Sequence, residues 1–450
     1  MAQKHKQNII YQAFRVYLRF FHDKVFYKKV HRIGLENIPE EGAPLLLACN
    51  HQNCLNDPLG LIFTFRDRKP HILARADVIE HNKFTNRFLR RIGLLPAFRM
   101  DFDGEESLGK NQATFNESET TLIDGNTIIM FPEAMHQDKR WLGNFSSGYT
   151  KIAFEAAELD NFQTEVFILP ACNHYSNYFG IQNEMILKFA KPISIAPFYE
   201  LYKTKPRTAQ RQVNALVHEQ INDLMLNITD LDNYEAIDFI RNIYGHKYAT
   251  QNGLNATHFP NMLTSDKLLF KALDEAKALF PDKVSTLYAK TLEYKQLLNL
   301  FKITDTEVGI KHPTIKSVSN IISMILLFPF WLVSLWPNVF IYNASAPFVK
   351  RLKDKMFEGT IRYSLSVMLT IPVFYTLTFV LAIIFGNLIF AIIYTALLPS
   401  LGIFAWNYWQ FAKRTAKCIR YSRINNNNLA QLQKLKNEIT NNIESILYHD

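Results

Sequence analysis

A histidine that could act as a base lies early in the chain, in the segment ACNHQNCLNDPLG at residues 48–60. His51 directly follows an apolar run, and an amide and a carboxylate, Asn56 and Asp57, lie five and six positions further on. A carboxylate fixes the tautomer of an imidazole and stabilises the imidazolium that forms on protonation, whereas an amide only orients the ring. We therefore predict that His51 pairs with Asp57 and acts as a general base.

The spacing of this pair requires a turn between its members. In a regular helix, six positions would place Asp57 well off the face of His51. Asn53 and Asn56 lie between the two and favour turns. A turn that brings Asp57 back to the histidine is therefore predicted.

Residues 36–235 alternate between short apolar runs and helical patterns, which is typical of an α/β domain. The apolar runs are APLLLACN, NTIIMFP, EVFILPACNHY and EMILKFAKPIS. This pattern predicts an open sheet covered by helices, with ligands where loops leave the carboxyl ends of strands. Because His51 and Glu133 follow the first two runs, both are expected at that edge of the sheet.

Four motifs of this region resemble, in order and spacing, the four blocks of the glycerolipid acyltransferases, the lysophosphatidate and glycerol-3-phosphate acyltransferases. They are NHQNCLND, GLLPAFR (93–99), FPEAMH (131–136) and ILPACNHY (168–175). The resemblance covers roughly residues 34–200 and implies a mixed open sheet covered by helices, as in glycerol-3-phosphate acyltransferase. It also implies a membrane-bound enzyme of phospholipid biosynthesis that transfers a fatty acyl group to a hydroxyl of glycerol phosphate or a lysophospholipid. The donor would be acyl-CoA or acyl-ACP (acyl carrier protein) as co-substrate, with no cofactor and no metal.

The first motif is the most specific match, but it carries one extra residue. The usual family form puts four residues between the histidine and the acid, whereas five separate His51 from Asp57, and Asn56 occupies the usual acid position. Fungal-type glycerol-3-phosphate/dihydroxyacetone-phosphate acyltransferases are similar in carrying five. The resemblance implies that His51 is the catalytic base and that Asp57 orients it; Asn53 is assigned to substrate binding.

The second motif supplies a candidate for the acceptor phosphate. Gly93, Pro96 and Arg99 match the family's Gly-x-x-Pro-x-x-Arg, whose arginine is implied to bind that phosphate. The planar guanidinium suits this role because it offers bidentate hydrogen bonds. A surface ion pair of Arg99 with Asp101 or Asp103 is the alternative.

The third motif departs most from the family, whose Phe-Pro-Glu is followed by glycine. Here Ala134 follows Glu133, and the usual arginine is missing. Glu133 is expected to order the site and bind substrate. His136, Lys139 or Arg140 would then supply the positive charge, with His136 as the first choice.

The C-terminal third contains long apolar segments. Residues 364–409 carry no charge and have room for two spanning helices of about 20 residues each. A turn is predicted at Gly386-Asn387, with Leu-Pro-Ser at 398–400 as the second possibility. Basic residues on both sides predict that both flanks stay cytoplasmic, which requires an even number of crossings. The apolar stretch 321–342, interrupted by Pro329 and Pro337, is then better explained by a second hairpin or a re-entrant dip. Buried helices of a soluble core are the alternative.

The N-terminal segment is predicted to be an amphipathic helix at the bilayer interface. Arginines and lysines surround a set of apolar residues that recur at helical spacing. The apolar residues are Tyr11, Phe14, Leu18, Phe21 and Val25. Aromatic rings with a basic rim suit the headgroup region of a membrane. Packing of this helix against its own domain is the alternative.

Charge and cysteine content predict the partners and the location. The net charge of +9 favours an anionic partner, and because the basic residues flank apolar segments we expect membrane lipid and no nucleic acid. The four cysteines show no CxxC and no metal-ligand spacing, and no cleavable signal peptide opens the chain. An integral membrane protein with its catalytic domain on the cytoplasmic face is predicted.

Five segments are expected along the chain. They are an interfacial helix (1–35), the acyltransferase domain (36–235), a helical connector (236–315), membrane-embedded hairpins (316–411) and an amphipathic tail (412–450).

Three other functions stay open on the sequence. A thiol enzyme would use Cys49 or Cys54 beside His51. A lipid hydrolase would use the same His-Asp pair on water, although no GxSxG elbow is present. The altered third motif would also fit a non-catalytic lipid-binding or scaffold protein.

Overall fold

The computed structural model describes residues 9–65, 68–79, 83–97, 107–133 and 139–448. The chain divides into two compact units, here called the sheet unit (1–225 and 345–368) and the helical unit (226–344 and 369–450). Arg99 and His136, both predicted site residues, lie outside the described residues.

The elements of the described chain are as follows. The strands are β1 (Tyr27–Ile33), β2 (Leu45–Cys49), β3 (His71–Arg75), β4 (Leu94–Ala97), β5 (Thr127–Met130), β6 (Phe167–Tyr175), β7 (Asn183–Phe189) and β8 (Ile193–Ser194). The helices are α1 (Ile9–Phe21), α2 (Asn56–Ile62), α3 (Ala76–Ile79), α4 (Lys83–Arg91), α5 (Ser107–Ile123), α6 (Gly148–Leu159), α7 (Tyr199–Thr204), α8 (Pro206–Leu224), α9 (Tyr234–Gln251), α10 (Phe259–Leu279), α11 (Pro281–Phe301), α12 (Asp305–Val308), α13 (Pro313–Leu335), α14 (Asn338–Asn343), α15 (Ala346–Val349), α16 (Glu358–Tyr363), α17 (Ile371–Phe385), α18 (Leu388–Ser422) and α19 (Asn426–Leu447).

The sheet unit is built on a mixed sheet with the strand order β1-β7-β6-β2-β5-β3-β4, and β8 also pairs with β6. Strands β7 and β8 run antiparallel to β6, and the other neighbouring strands are parallel. All five residues of β2 are fully buried, which explains why this central strand is a continuous apolar run. The predicted fold class, a mixed open sheet covered by helices, is confirmed.

The core of this unit lies between the sheet and helices α6 and α8. Helix α8 contributes Ala209, Val213 and Val217 at steps of four residues, and all three are fully buried. Helix α6 contributes Ile152 and Ala156 at the same spacing. The apolar stripe of each helix is therefore satisfied within the domain.

The N-terminal segment forms a shorter helix than predicted. Helix α1 ends at Phe21, a π-helical turn follows at His22–Phe26, and residues 27–33 form the edge strand β1, parallel to β7. The prediction of a helix over residues 1–35 is therefore wrong in its C-terminal part. The partner strand β7 begins at Asn183. The apolar spacing within residues 1–35 cannot indicate pairing with a strand so far along the chain.

The two faces of α1 have different surroundings. Leu18 and Phe21 are buried within the sheet unit, as the alternative interpretation required. Phe14, Val16 and Phe20 are exposed, Val16 by 63%. The helix thus packs on its own domain and still presents apolar side chains outward.

Three helices of the described chain are long and apolar enough to cross a membrane: Pro313–Leu335, Glu358–Phe385 and Leu388–Ser422. The predicted turn at Gly386-Asn387 is confirmed, because α17 ends at Phe385 and the side chain of Asn387 accepts the N–H of Phe390 at 2.8 Å to cap α18.

The segment 321–342 does not form the predicted hairpin. Helix α13 continues through Pro329 to Leu335, since an apolar helix tolerates an internal proline, and the short α14 follows. That prediction was wrong, whereas the re-entrant dip stays a prediction.

Candidate active site

Residues 50–57 form a loop that leads from the end of β2 into α2; we call it the histidine loop. The carbonyl oxygen of Asn53 accepts the N–H groups of Asn56 at 2.8 Å and of Asp57 at 3.2 Å. Cys54, at the centre, has a φ of 21°, which lies in the sparsely populated left-handed region. This turn brings Asp57 back to His51, so the predicted turn is confirmed.

The imidazole of His51 bonds the carboxylate of Asp57. Nδ1 lies 2.8 Å from Oδ2, and Asp57 is completely buried, whereas the ring of His51 is 18% exposed. Since a carboxylate only accepts, this bond places the proton on Nδ1 and leaves Nε2 as the basic nitrogen. Asn56 is not the partner of the ring; its amide donates to Oδ1 of Asn53 at 3.1 Å.

Three further donors hold the carboxylate of Asp57. Its Oδ2 accepts the backbone N–H groups of Gln52 at 2.7 Å and Asn53 at 2.8 Å, and the hydroxyl of Tyr175 donates to Oδ1. Hydrogen bonds to the charged form favour it and compensate for its burial. The arrangement therefore fixes the position of Asp57.

Glu133 follows β5 and ties two backbone segments together. Its Oε1 accepts the N–H of His51 at 3.0 Å, and its Oε2 accepts the N–H of Gly143 at 3.1 Å. Burial raises the pKa of Glu133 to about 6, although the two N–H bonds oppose that shift. In the same motif, the ring of Phe131 stacks on the imidazole of His51 with centroids 4.2 Å apart. The third motif thus orders the backbone and the ring of the histidine.

Asn53, which is predicted to bind substrate, bonds the backbone of the protein in the structure. It is fully buried, and its amide donates to the carbonyl oxygen of Tyr178. Asn50 makes a comparable pair of bonds, in which its Oδ1 accepts the N–H of Asn173 at 2.7 Å and its Nδ2 donates to the carbonyl of Asn173 at 3.1 Å. These amides attach the histidine loop to β6 and to the segment after it.

A buried cation lies near the loop. Arg140 is 6% exposed, and its guanidinium lies over the ring of Tyr178 at 5.5 Å from the centroid. The neighbouring Lys139 accepts a bond from Gln52 Nε2 through its carbonyl, at 3.2 Å. Of the two described positive charges proposed for the third motif, Lys139 is exposed and Arg140 is buried beside the loop.

The second motif shows why its glycine is required. Gly93 has a φ of 98°, and a Cβ there would lie 2.8 Å from the carbonyl oxygen of Pro70. Pro96 lies in β4, at the edge of the sheet. The motif thus turns the chain into β4 immediately before Arg99.

The two cysteines near His51 in the sequence differ in exposure. Cys49 is fully buried, and burial raises the pKa of its thiol well above the usual range. A thiol of this kind is a poor nucleophile. Cys54 is partly exposed. Within the described residues, no group of three or more His, Cys, Asp or Glu side chains is arranged to hold a metal ion.

Tyr175 is the site residue that the sequence analysis missed. It ends β6, which pairs in parallel with β2, so the ends of both strands lie at one edge of the sheet. The rule that placed His51 and Glu133 at strand ends applies equally to the last residue of ILPACNHY, and this was the available signal.

Comparison with known proteins identifies a matching family model and a solved structure with some similarity to this chain. Residues 29–174 match the Acyltransferase family model. The crystal structure of the 1-acyl-sn-glycerophosphate (LPA) acyltransferase PlsC from Thermotoga maritima is 17% identical, over 48% of this chain and 79% of that chain, with a TM-score of 0.35. No curated protein matches the chain significantly. The residues that match the family model include His51, Asp57 and Glu133.

Proposed function

We propose that this chain, whose residues 29–174 match the Acyltransferase family model, is a glycerolipid acyltransferase that transfers a fatty acyl group from an acyl thioester to a hydroxyl of glycerol phosphate or a lysophospholipid. The donor is acyl-CoA or acyl-ACP, the acyl thioester of acyl carrier protein. The reaction supplies phospholipid biosynthesis at the cytoplasmic face of a membrane.

In the proposed mechanism, Nε2 of His51 removes the proton of the acceptor hydroxyl. The alkoxide attacks the carbonyl carbon of the thioester, and a tetrahedral oxyanion forms. This intermediate collapses to the ester, and the sulfur leaves as a thiol after it takes the proton from His51. Asp57 stabilises the imidazolium between these two steps. Because a thioester is already activated, a base and correct placement are sufficient for the reaction.

The observation that carries the proposal is the pairing of a partly exposed imidazole with a fully buried carboxylate at 2.8 Å. The other bonds to Asp57 come from neutral donors, so its charge stays available to an imidazolium. Glu133 holds the backbone of the same histidine. Base, orienting acid and backbone anchor all lie within the residues that match the family model.

Two arginines are proposed to bind the acceptor phosphate. Arg99 occupies the position of the family's phosphate-binding arginine. Arg140 is buried beside the histidine loop, where its planar guanidinium lies over the ring of Tyr178. Asn53 and Glu133 shape this site through the loop backbone, and His136 stays a candidate for substrate contact.

Membrane association is supported by the apolar surface. The three long helices carry exposed apolar side chains, among them Phe330, Phe385 and Ile389. Together with the exposed apolar residues of α1, they suit a protein whose lipid substrate and product reside in a bilayer. Basic residues beside the apolar segments support a cytoplasmic location of the catalytic domain.

The test is an acyl-transfer assay with the full chain purified in detergent. Labelled acyl-CoA or labelled acyl-ACP is offered with glycerol 3-phosphate, lysophosphatidate, other lysophospholipids or no acceptor, and the lipid products are identified by mass spectrometry. We expect an acylated phospholipid product that depends on one acceptor class. His51→Ala should lower turnover by about 10²–10⁴-fold.

The matched control is His246→Ala, which removes an exposed histidine of the helical unit and should leave turnover unchanged. Equal release of fatty acid with and without acceptor would instead identify a hydrolase. Absence of turnover with every acceptor would favour the lipid-binding protein. Loss of activity in Cys54→Ala would favour a thiol enzyme.

A further inference from the structure

A segment from the C-terminal half of the chain contacts the histidine loop. Helix α16 lies far outside residues 29–174, yet it belongs to the sheet unit. Oγ1 of its Thr360 accepts the backbone N–H of Leu55 at 3.0 Å, across 305 positions of sequence. Leu55 immediately precedes α2, where helix geometry leaves N–H groups without intrahelical acceptors. Thr360 therefore supplies an acceptor that the loop itself lacks.

The contact between helix and loop is close. At Gly359, a Cβ would lie 2.4 Å from Oδ1 of Asn53, nearer than real Cβ atoms approach any heavy atom. Asn53 is the residue whose carbonyl closes the turn and whose N–H binds Asp57. A glycine at 359 is thus what allows the helix to approach the centre of the loop.

The same segment is fastened to the N-terminal region. Tyr363 is fully buried, and its hydroxyl donates to the carbonyl of Leu18 at 3.1 Å. The hydroxyl of Tyr17 donates to the carbonyl of Val367 at 2.9 Å. These bonds fix α16 to α1 independently of the loop, so that the helix is a firm support for Thr360 and Gly359.

We propose that α16 is a positioning element of the active site, in which Thr360 and Gly359 hold the histidine loop in the conformation that brings Asp57 to His51. The backbone of Cys54 is in an unfavourable region, and such a conformation persists only when its surroundings determine it. Helix α16, a π-helical segment at Ser364–Thr370 and α17 follow one another without a break and together form the long apolar helix Glu358–Phe385. The inference rests on the proposed function, because the geometry it protects is that of the proposed base.

Steady-state kinetics of variants at both positions test the proposal. Thr360→Val removes the acceptor at nearly constant volume and should lower kcat roughly five- to tenfold with little change in acceptor KM, because one loop hydrogen bond is lost. Thr360→Ser keeps the acceptor and should restore kcat. Gly359→Ala should lower kcat at least as much, although alanine favours the helix itself.

Matched controls exclude general effects of these exchanges. Thr378→Val removes a hydroxyl that bonds Phe374 of its own helix, and Gly109→Ala adds a Cβ to a helical glycine with open space around it. Both should retain wild-type kcat. Thr360→Ala removes the same acceptor without added bulk and replaces the valine variant if that variant does not fold.

A second readout is independent of catalysis. Cys49, Cys172 and Cys418 are buried, so alkylation of the folded protein by a maleimide reports on Cys54 in the loop. Its rate, followed by mass spectrometry, should rise roughly fivefold in Thr360→Val and Gly359→Ala and stay unchanged in the controls. The alkylation rates can be measured even if the wild type transfers no acyl group. Failure of the proposed function can therefore be distinguished from failure of this inference. Wild-type alkylation rates in both variants would overturn the inference, whatever their kcat.

Discussion

Two histidines of the sheet unit bond an aspartate through Nδ1 at the same distance of 2.8 Å, His51 to Asp57 and His22 to Asp23. The second pair lies in the π-helical turn between α1 and β1. Its ring is fully buried and makes edge contacts with the rings of Tyr27, Phe63 and Tyr363.

The carboxylates of the two pairs face different donors. Arg32 donates to both oxygens of Asp23, from Nη1 to Oδ2 at 2.9 Å and from Nη2 to Oδ1 at 3.2 Å. Burial tends to raise the pKa of Asp23, but the bonds from His22 and Arg32 outweigh it and lower the pKa to about 2. Burial also lowers the pKa of His22. The arginine therefore cancels the charge that would stabilise an imidazolium there.

The comparison teaches that a short His-Asp bond does not by itself identify a base. What distinguishes His51 is a partly exposed ring, together with a carboxylate whose remaining donors are neutral. An enclosed ring beside a cancelled charge is a structural cross-link. We therefore propose a catalytic role for His51 and Asp57 and a stabilising role for His22 and Asp23.

Of the exchanges at the two His-Asp pairs, Asp57→Asn is expected to lower kcat the most. An amide nitrogen cannot accept the N–H groups of Gln52 and Asn53, and it supplies no charge to the imidazolium. We expect kcat to fall by about 10²–10⁴-fold with a smaller change in KM, measured with the acceptor identified in the transfer assay. A decrease of less than tenfold, in a variant that unfolds like the wild type, would remove Asp57 from the mechanism.

Asp23→Asn should act on stability instead. It leaves Arg32 largely buried without its carboxylate, and breaking such a pair costs roughly 3–5 kcal/mol of unfolding free energy. Denaturant unfolding measures this difference, and kcat of the folded protein should stay within about twofold of wild type.

The pH dependence of this difference has a definite sign. Because the folded pKa of Asp23, about 2, lies below its usual value of 3.8, its stabilisation is present above the usual value and is lost as the pH falls toward 2. The difference in unfolding free energy between wild type and Asp23→Asn should therefore narrow below about pH 4.

A loss of kcat in Asp23→Asn comparable to that in Asp57→Asn would contradict the distinction between the two pairs.

Glu133→Gln is expected to have an intermediate effect. Only the histidine of the first pair has its backbone N–H held by a carboxylate, and glutamine retains one of the two acceptors. We expect kcat to fall roughly tenfold. Retention of full activity would show that the anchor of His51 is dispensable.

Glu133 also predicts a change of stability with pH. Its pKa of about 6 is raised, so the folded protein keeps a proton that the unfolded chain releases above its usual pKa of 4.5. The wild type should lose about 2 kcal/mol of unfolding free energy as the pH rises from 4.5 through 6, whereas Glu133→Gln should not. Denaturant unfolding at pH 4.5 and pH 7 measures this difference.

The sequence predicts those parts of the fold whose causes are local. The central strands are apolar on both faces, and the long apolar segment with Gly386-Asn387 contains its own turn. Strand β1 could not be predicted, because its residues become a strand only beside β7, and the apolar spacing before it fits a helix. The two prolines likewise led to the wrong prediction of a hairpin at 321–342, because helix α13 continues through Pro329.

The same division applies to the site. The turn that joins His51 to Asp57 follows from their spacing, since six positions in a helix would separate them. Tyr175 and Thr360 reach the loop from 118 and 305 positions away, and only strand order and helix packing bring them there. Arg99 and His136, outside the described residues, stay predictions from the resemblance alone.

Of the exchanges around the His51–Asp57 pair, Tyr175→Phe is expected to lower kcat the least. The exchange removes the one hydroxyl on Oδ1 of Asp57 and leaves the bonds of Oδ2 to His51, Gln52 and Asn53 in place. Because three bonds still orient the carboxylate, we expect kcat to fall only about fivefold. Tyr149→Phe is the matched control, since that buried tyrosine bonds Asn214 and should leave kcat unchanged.

The size of the Tyr175→Phe effect also measures how rigidly the aspartate is held. A decrease as large as that of Asp57→Asn would mean that the hydroxyl, rather than the loop backbone, fixes the carboxylate. An unchanged kcat in a stably folded variant would mean that the backbone N–H groups of the histidine loop suffice. In that case the advantage of this pair over His22 and Asp23 would reside in the loop and in the exposure of its ring, without a contribution from β6.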